Sequence, residues 1–139
     1  MIYRVGRVVV LVRDYDEAVE FYAQLGFQRL FDGRGDNGFR FVHIGLPDQS
    51  GVGLWLLQPA DEEQIALIGR QTGGQPLMVL YTDDLHGEYL RLASLGVTFR
   101  EDPREEQDSY VAHFRDVYGN EIVLVQVKDG DAAGVPSLP

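Results

Sequence analysis

Cysteine is absent from the 139 residues, which removes disulfides, thiolate zinc sites and cysteine nucleophiles from consideration. Basic residues are scarce, with 12 Lys and Arg against 22 Asp and Glu and a formal net charge of −10. A surface of that sign repels phosphate backbones, so nucleic acid is not an expected partner. It mildly favours neutral or cationic ligands. No run reaches the roughly 18 apolar residues of a membrane span, and no basic, apolar leader opens the chain, so no membrane partner is expected and the cytoplasm is the expected compartment. The few serines, Ser50, Ser94, Ser109 and Ser137, stand at no recognisable spacing from a histidine and a carboxylate, and no nucleophile arrangement emerges.

What the chain does contain is a repeat. Val9, Asp14, Ala23, Leu25 and Gly26 are answered by Val79, Asp84, Ala93, Leu95 and Gly96 at a constant offset of 70 residues. A repeat present only twice points to two paired modules rather than a solenoid. Arg7–Val12 is β-branched and apolar on both faces and reads as a covered strand. Asp14 or Asp16 caps a helix whose Ala18, Val19, Phe21, Tyr22 and Leu25 recur at helical spacing, and Gly26 stops it. Strands are expected near Gln28–Phe31, Phe39–Ile44 and Gly53–Leu57. The second copy repeats the order, with a strand at Leu77–Tyr81, a helix at Leu85–Leu95, and strands near Val97–Arg100, Tyr110–Phe114 and Glu121–Val125. The fold class is therefore α+β, βαβββ twice, with module one at about 5–58, a linker at about 59–75, module two at about 76–127 and a flexible tail over 128–139. Ala60–Arg70 in the linker reads as a short helix. Gly33, Gly35 and Gly38 match a dinucleotide-binding pattern, but a strand follows them where that pattern needs a helix, so they read as a hairpin loop.

The segments Val10-Leu-Val-Arg-Asp14, Ala18-Val-Glu-Phe-Tyr22, Leu25-Gly-Phe27 and Asp116-Val-Tyr-Gly-Asn120 followed by Glu-Ile-Val-Leu124 carry a resemblance. The chain resembles the vicinal oxygen chelate superfamily, which includes glyoxalase I, bleomycin-resistance proteins and extradiol dioxygenases. The resemblance covers roughly residues 5 to 127. It implies a cup-shaped mixed sheet with helices on the outside, a site where the modules meet, and a homodimer. In catalytic relatives a divalent ion is held by a His or Gln on each module's first strand and a Glu on the last strand of one or both. Carried onto this chain, those positions fall on Arg7, Leu77, Val123 and, in module one, Trp55. None of these side chains is a metal ligand, so no metal and no cofactor are expected.

Strand alternation lines the expected cup with Arg7, Val9, Leu11, Trp55, Leu57, Leu77, Val79, Tyr81, Glu121, Val123 and Val125. Tyr110 and His113 join Arg7, Val9, Trp55, Leu77, Tyr81, Glu121 and Val123 as candidate ligand-binding residues. An apolar and aromatic lining with few polar anchors suits a small-molecule site, and Arg7 stacking on Trp55 is expected to contribute a cation–π contact. The resulting expectation is a glyoxalase/bleomycin-resistance-like protein that binds a small organic ligand, cationic or planar, without a metal. Two alternatives stand beside it: a glyoxalase- or dioxygenase-like enzyme with a displaced metal around His43, His113 and Glu121, and a dimerisation module without a ligand. Metal-free acid–base chemistry would draw on Glu121, Tyr81, Tyr110 or His113. The acidic run Glu101–Asp108 reads as a solvated loop, and His86 as a surface residue in the first turn of the second helix.

Overall fold

The computed structural model describes residues 1–129, which divide after Gln71 into two compact units. Unit one runs β1 (Arg7–Leu11), α1 (Tyr15–Gln24), β2 (Gln28–Arg34), β3 (Arg40–Gly45), β4 (Gly53–Leu57) and a short α2 (Glu62–Leu67). Unit two runs β5 (Met78–Tyr81), α3 (Leu85–Ser94), β6 (Arg104–Glu105), β7 (Ser109–Arg115) and β8 (Glu121–Val127). Each unit carries a four-stranded mixed sheet, ordered β1-β4-β3-β2 in the first and β5-β8-β7-β6 in the second. The parallel pairs are β1 with β4 and β5 with β8, and the other neighbours are antiparallel.

The two principal helices begin and end by the same local chemistry. Asp14 accepts from the Glu17 backbone N–H at 3.0 Å and Asp84 from that of Gly87 at 3.0 Å, each satisfying a donor that the first helical turn leaves unpaired. Beyond the helix ends, Gly26 at φ 102° and Gly96 at φ 89° take the left-handed conformation that glycine adopts without a steric penalty. Between these limits Ala18 and Tyr22 of α1, and Leu85 and Leu92 of α3, are buried on the sheet.

Each helix covers one face of its own sheet. In unit one Val10, Val12, Val42, Ile44, Leu54 and Leu56 form the covered face, and in unit two Ala112, Phe114, Ile122 and Leu124 do so. With a side-chain period of two, the intervening positions stand on the opposite face. Those positions are half-buried or exposed in both sheets: Val9, Leu11, Phe41, His43, Trp55 and Leu57 in one, and Val79, Tyr81, Val111, His113, Val123 and Val125 in the other.

Several boundaries depart from the sequence expectation. The strand expected at Val97–Arg100 is reduced to a single bridge between Phe99 and Phe114, and pairing resumes at β6, within the acidic run read as a loop. Pro103 lies between these two contacts and has no N–H to give a ladder. β2 runs on to Arg34, three residues past the expected Phe31, with a register shift between Arg29 and Phe31. The helix expected within Ala60–Arg70 is present as α2, capped by Asp61. Just after it, the Gln71 amide accepts from Leu11 N–H at 2.9 Å and donates to the Val9 carbonyl at 3.0 Å, so that a side chain pairs with edge strand β1 as a neighbouring strand would. Lys128 and Asp129, the first residues of the expected tail, are among the described residues. Lys128 donates its backbone N–H to Asp108 and its ammonium to Glu105 at 2.7 Å, while residues 130–139 lie outside the described residues.

Candidate functional site

In unit one, β-pairing aligns Val9 with Trp55, Trp55 with His43 and His43 with Phe31, a row that crosses all four strands on the face opposite α1. The rings form a continuous strip. Phe31 and His43 centroids lie 6.1 Å apart, His43 and Trp55 5.7 Å, Trp55 and Phe41 6.2 Å with nearly parallel planes, and Phe41 and Phe39 4.8 Å edge to face. These are the spacings at which aromatic pairs attract. Phe31 is 53% exposed, so the strip reaches solvent at its β2 end rather than closing into a core.

Arg7 borders this strip. Its Nε donates to His43 Nδ1 at 3.1 Å and its Nη1 to the Gly6 carbonyl at 2.8 Å, so the guanidinium expected to stack on Trp55 is engaged by the neighbouring imidazole. An arginine Nε always donates, so His43 Nδ1 accepts and the proton of the neutral ring sits on Nε2. His43 Nε2 and Trp55 Nε1 are both buried without a hydrogen-bond partner. Burial, and secondly the Arg7 charge, lower the His43 pKa below its usual 6.5. Unfolded His43 therefore takes up a proton before native His43 does. Its contribution to stability is whole above about pH 6.5 and falls as the pH drops below that value. Between pH 7.5 and 5.5 the urea midpoint of His43→Phe should fall less than that of the parent protein; equal losses would show that His43 is not the group responsible.

Two carboxylates of unit one, Asp16 and Asp32, are gathered on Arg40. Arg40 bonds Asp32 through Nε and Nη2 at 2.9 Å each and Asp16 through Nη2 at 2.8 Å, and these bonds hold both carboxyls below their usual range. Asp32 pairs with Val42 in the register, which places it on the helix side of the sheet.

Unit two presents a different surface. Val79, Val123 and His113 are aligned across β5, β8 and β7, and Tyr81, Val125 and Val111 form the next row. Leu77 immediately precedes β5 and donates its N–H to the Glu121 carbonyl at 2.7 Å. Charge surrounds these apolar rows. Glu121 is paired with Arg100 at 2.6 Å, and His113 Nδ1 lies 3.0 Å from Glu101, which Arg100 and Arg104 also approach. Tyr110 is set apart from the other candidates. It pairs with Gln126, whose amide oxygen accepts from the first N–H of α3, and its ring meets His86 edge to face and lies under the Lys128 ammonium. It is three residues from His113, and a period of two sends the pair to opposite faces.

Of the residues named from sequence, Arg7, Val9 and Trp55 thus share the open face of unit one. Leu77, Tyr81, His113, Glu121 and Val123 belong to the corresponding face of unit two. Phe31, Phe41 and His43 were missing from that group. The alternation Phe39-Arg-Phe41-Val-His43 carried the signal for two of them, because it sets three rings on one side of β3.

The chain belongs to the Glyoxalase/Bleomycin resistance protein/Dioxygenase superfamily, whose family model matches residues 4–124. An uncharacterized protein of Shewanella frigidimarina (strain NCIMB 400) is 36% identical over 124 residues, 88% of this chain and 92% of the relative. Among solved structures, UcmS2 is similar with a TM-score of 0.77 and 32% identity, over 90% of this chain and 98% of that one. TnmS3, an antibiotic binding protein from Streptomyces sp. CB03234, is similar with a TM-score of 0.75 and 27% identity, over 91% of this chain and 98% of that one. The side chains of Arg7, Trp55, Leu77 and Val123 do not fit a divalent ion. Among the described residues no group of three or more His, Asp and Glu is placed to hold a metal. Nor, among those residues, is any helix long and apolar enough to cross a membrane.

Proposed function

We propose that the chain binds a small organic molecule without the help of a metal ion. The observation that carries this reading is the aromatic strip of unit one, which a helix leaves uncovered and which a polar solvent contacts at Phe31 and Phe39. A face that only filled space would bury these rings completely, whereas a flat ligand recovers their stacking and removes exposed apolar area. The likeness to TnmS3, itself described as an antibiotic binding protein, supports the same direction. A homodimer in the cytoplasm belongs to the proposal, and light scattering at micromolar concentration reads the dimer directly.

The alternative of a displaced metal draws on His43, His113 and Glu121. Each already has a partner: Arg7 for His43, Glu101 for His113 and Arg100 for Glu121. The Arg7 and Arg100 guanidiniums beside His43 and Glu121 repel a cation at those two groups. Thermal unfolding separates the two readings. Planar organic compounds from a broad panel should raise the melting temperature, because a ligand that binds only the folded state adds to its stability. Nickel, zinc, manganese and iron should leave it unchanged. Stoichiometric metal in the purified protein, or stabilisation by one of these ions alone, would overturn the proposal.

A further inference from the structure

The aromatic strip holds two polar atoms without partners, and both are donors. The Trp55 indole Nε1 can only donate, and Arg7 fixes His43 with its proton on Nε2. Buried donors left unpaired are uncommon in folded proteins and each weakens the fold that contains it. Here two of them lie on side chains directly paired across β3 and β4, on rings 5.7 Å apart. Both atoms are shut off from solvent. Arg7, which borders the strip, is itself hydrogen-bonded to His43. The carboxylates of Asp16 and Asp32 are taken up by Arg40 on the other side of the sheet.

We infer that this face is selective for planar aromatic molecules carrying an in-plane oxygen acceptor of the ketone or quinone type, which the Trp55 and His43 N–H groups receive while Phe31 and Phe41 flank the ring system. The inference rests on the ligand-binding reading above and narrows it. It also reverses one expectation from composition. The net charge of −10 favours cations over the molecule as a whole, yet this face presents two donors and a guanidinium. A cationic ligand gains nothing from them. The low His43 pKa agrees with the assignment, because a ring kept neutral leaves Nδ1 free to accept from Arg7.

The test is a matched set of three probes: 9-fluorenone, fluorene, which has the same tricyclic frame without the carbonyl, and the planar cation proflavine. Fluorenone should bind about tenfold more tightly than fluorene, the difference that one satisfied buried donor makes. Trp55→Phe and His43→Phe should each narrow that ratio toward one. Trp55 is the chain's only tryptophan, so its indole N–H gives a single resonance that reports on the parent protein without any variant. Fluorenone should move that proton downfield, as a new hydrogen bond does, and fluorene should not. Equal affinities for fluorenone and fluorene, an indole proton indifferent to the carbonyl, or proflavine as the tightest probe would overturn the inference and leave the broader ligand-binding reading standing. Binding of none of the three would overturn both.

Discussion

Asp116→Ala should cost unit two about 3–5 kcal/mol, on the ground that each buried donor deprived of its acceptor costs about 1–3 kcal/mol. Asp116 is 5% exposed and lies at the turn between β7 and β8. Its Oδ1 accepts from the backbone N–H groups of Tyr118 and Asn120 at 2.9 Å each, and its Oδ2 from Asn120 Nδ2 at 2.8 Å. Alanine removes the acceptor for all three and leaves Asn120, only 2% exposed, with an unpaired amide. The turn also fixes the register of β8, because Asp116 N–H bonds the Asn120 carbonyl directly before Glu121 and Ile122 enter the sheet. Asp116→Asn should recover part of the loss. Its carbonyl can still accept from the backbone, but its amide then faces that of Asn120, donor against donor. Urea unfolding reads both variants. A loss below about 1 kcal/mol in Asp116→Ala would show that water or a relaxed turn replaces the carboxylate.

The same turn shows why much of this fold is legible in the sequence. Asp14 and Asp84 as caps, Gly26 and Gly96 as stops, and the closing Asp116–Asn120 turn are local devices, each completed within a few residues. Strand faces were legible for a related reason: Val9, Trp55, Val79 and Val123 follow from a period of two once β1, β4, β5 and β8 are placed, and their register is what places them opposite one another. Part of what escaped the sequence depends on contacts far apart in the chain. The Arg7–His43 hydrogen bond spans 36 residues, and it decides that the guanidinium serves an imidazole rather than the Trp55 face. Tyr110 and His113 share one strand, and their odd separation sets them on opposite sides. Phe31 reads from the sequence as a strand end, because the irregularity between Arg29 and Phe31 that precedes its pairing with His43 leaves no mark in composition.

Gly53→Ala should destabilise unit one by about 2–3 kcal/mol, the range of a methyl forced into a well-packed site. Gly53 is buried on β4 opposite Arg7, and a Cβ built there would lie 2.6 Å from the Ile44 carbonyl oxygen and 2.7 Å from Leu30 Cδ1. The two neighbours differ in what they can yield. Leu30 is 41% exposed and can swing away. The Ile44 carbonyl belongs to β3, which pairs with β4 at Ile44 and Leu54, so moving it disturbs the ladder that carries His43 and Trp55. Gly45 supplies the control. A Cβ at that position meets Leu30 Cδ1 at 2.8 Å, but its backbone neighbour, the Val52 carbonyl, lies at 3.2 Å. A small shift relieves that contact, and Gly45→Ala should cost about 1 kcal/mol or less, within the usual spread of point substitutions. Pairing Gly53→Ala with Leu30→Ala separates the causes: if the backbone contact dominates, removing the leucine should restore little of the loss. If instead the double variant regains most of its stability relative to Leu30→Ala alone, the side chain was the obstacle and the β3–β4 spacing is more yielding than this geometry implies. The consequence for binding has the same sign, because a shift of β3 against β4 alters the 5.7 Å spacing of His43 and Trp55. Probe affinity should therefore fall in Gly53→Ala and persist in Gly45→Ala.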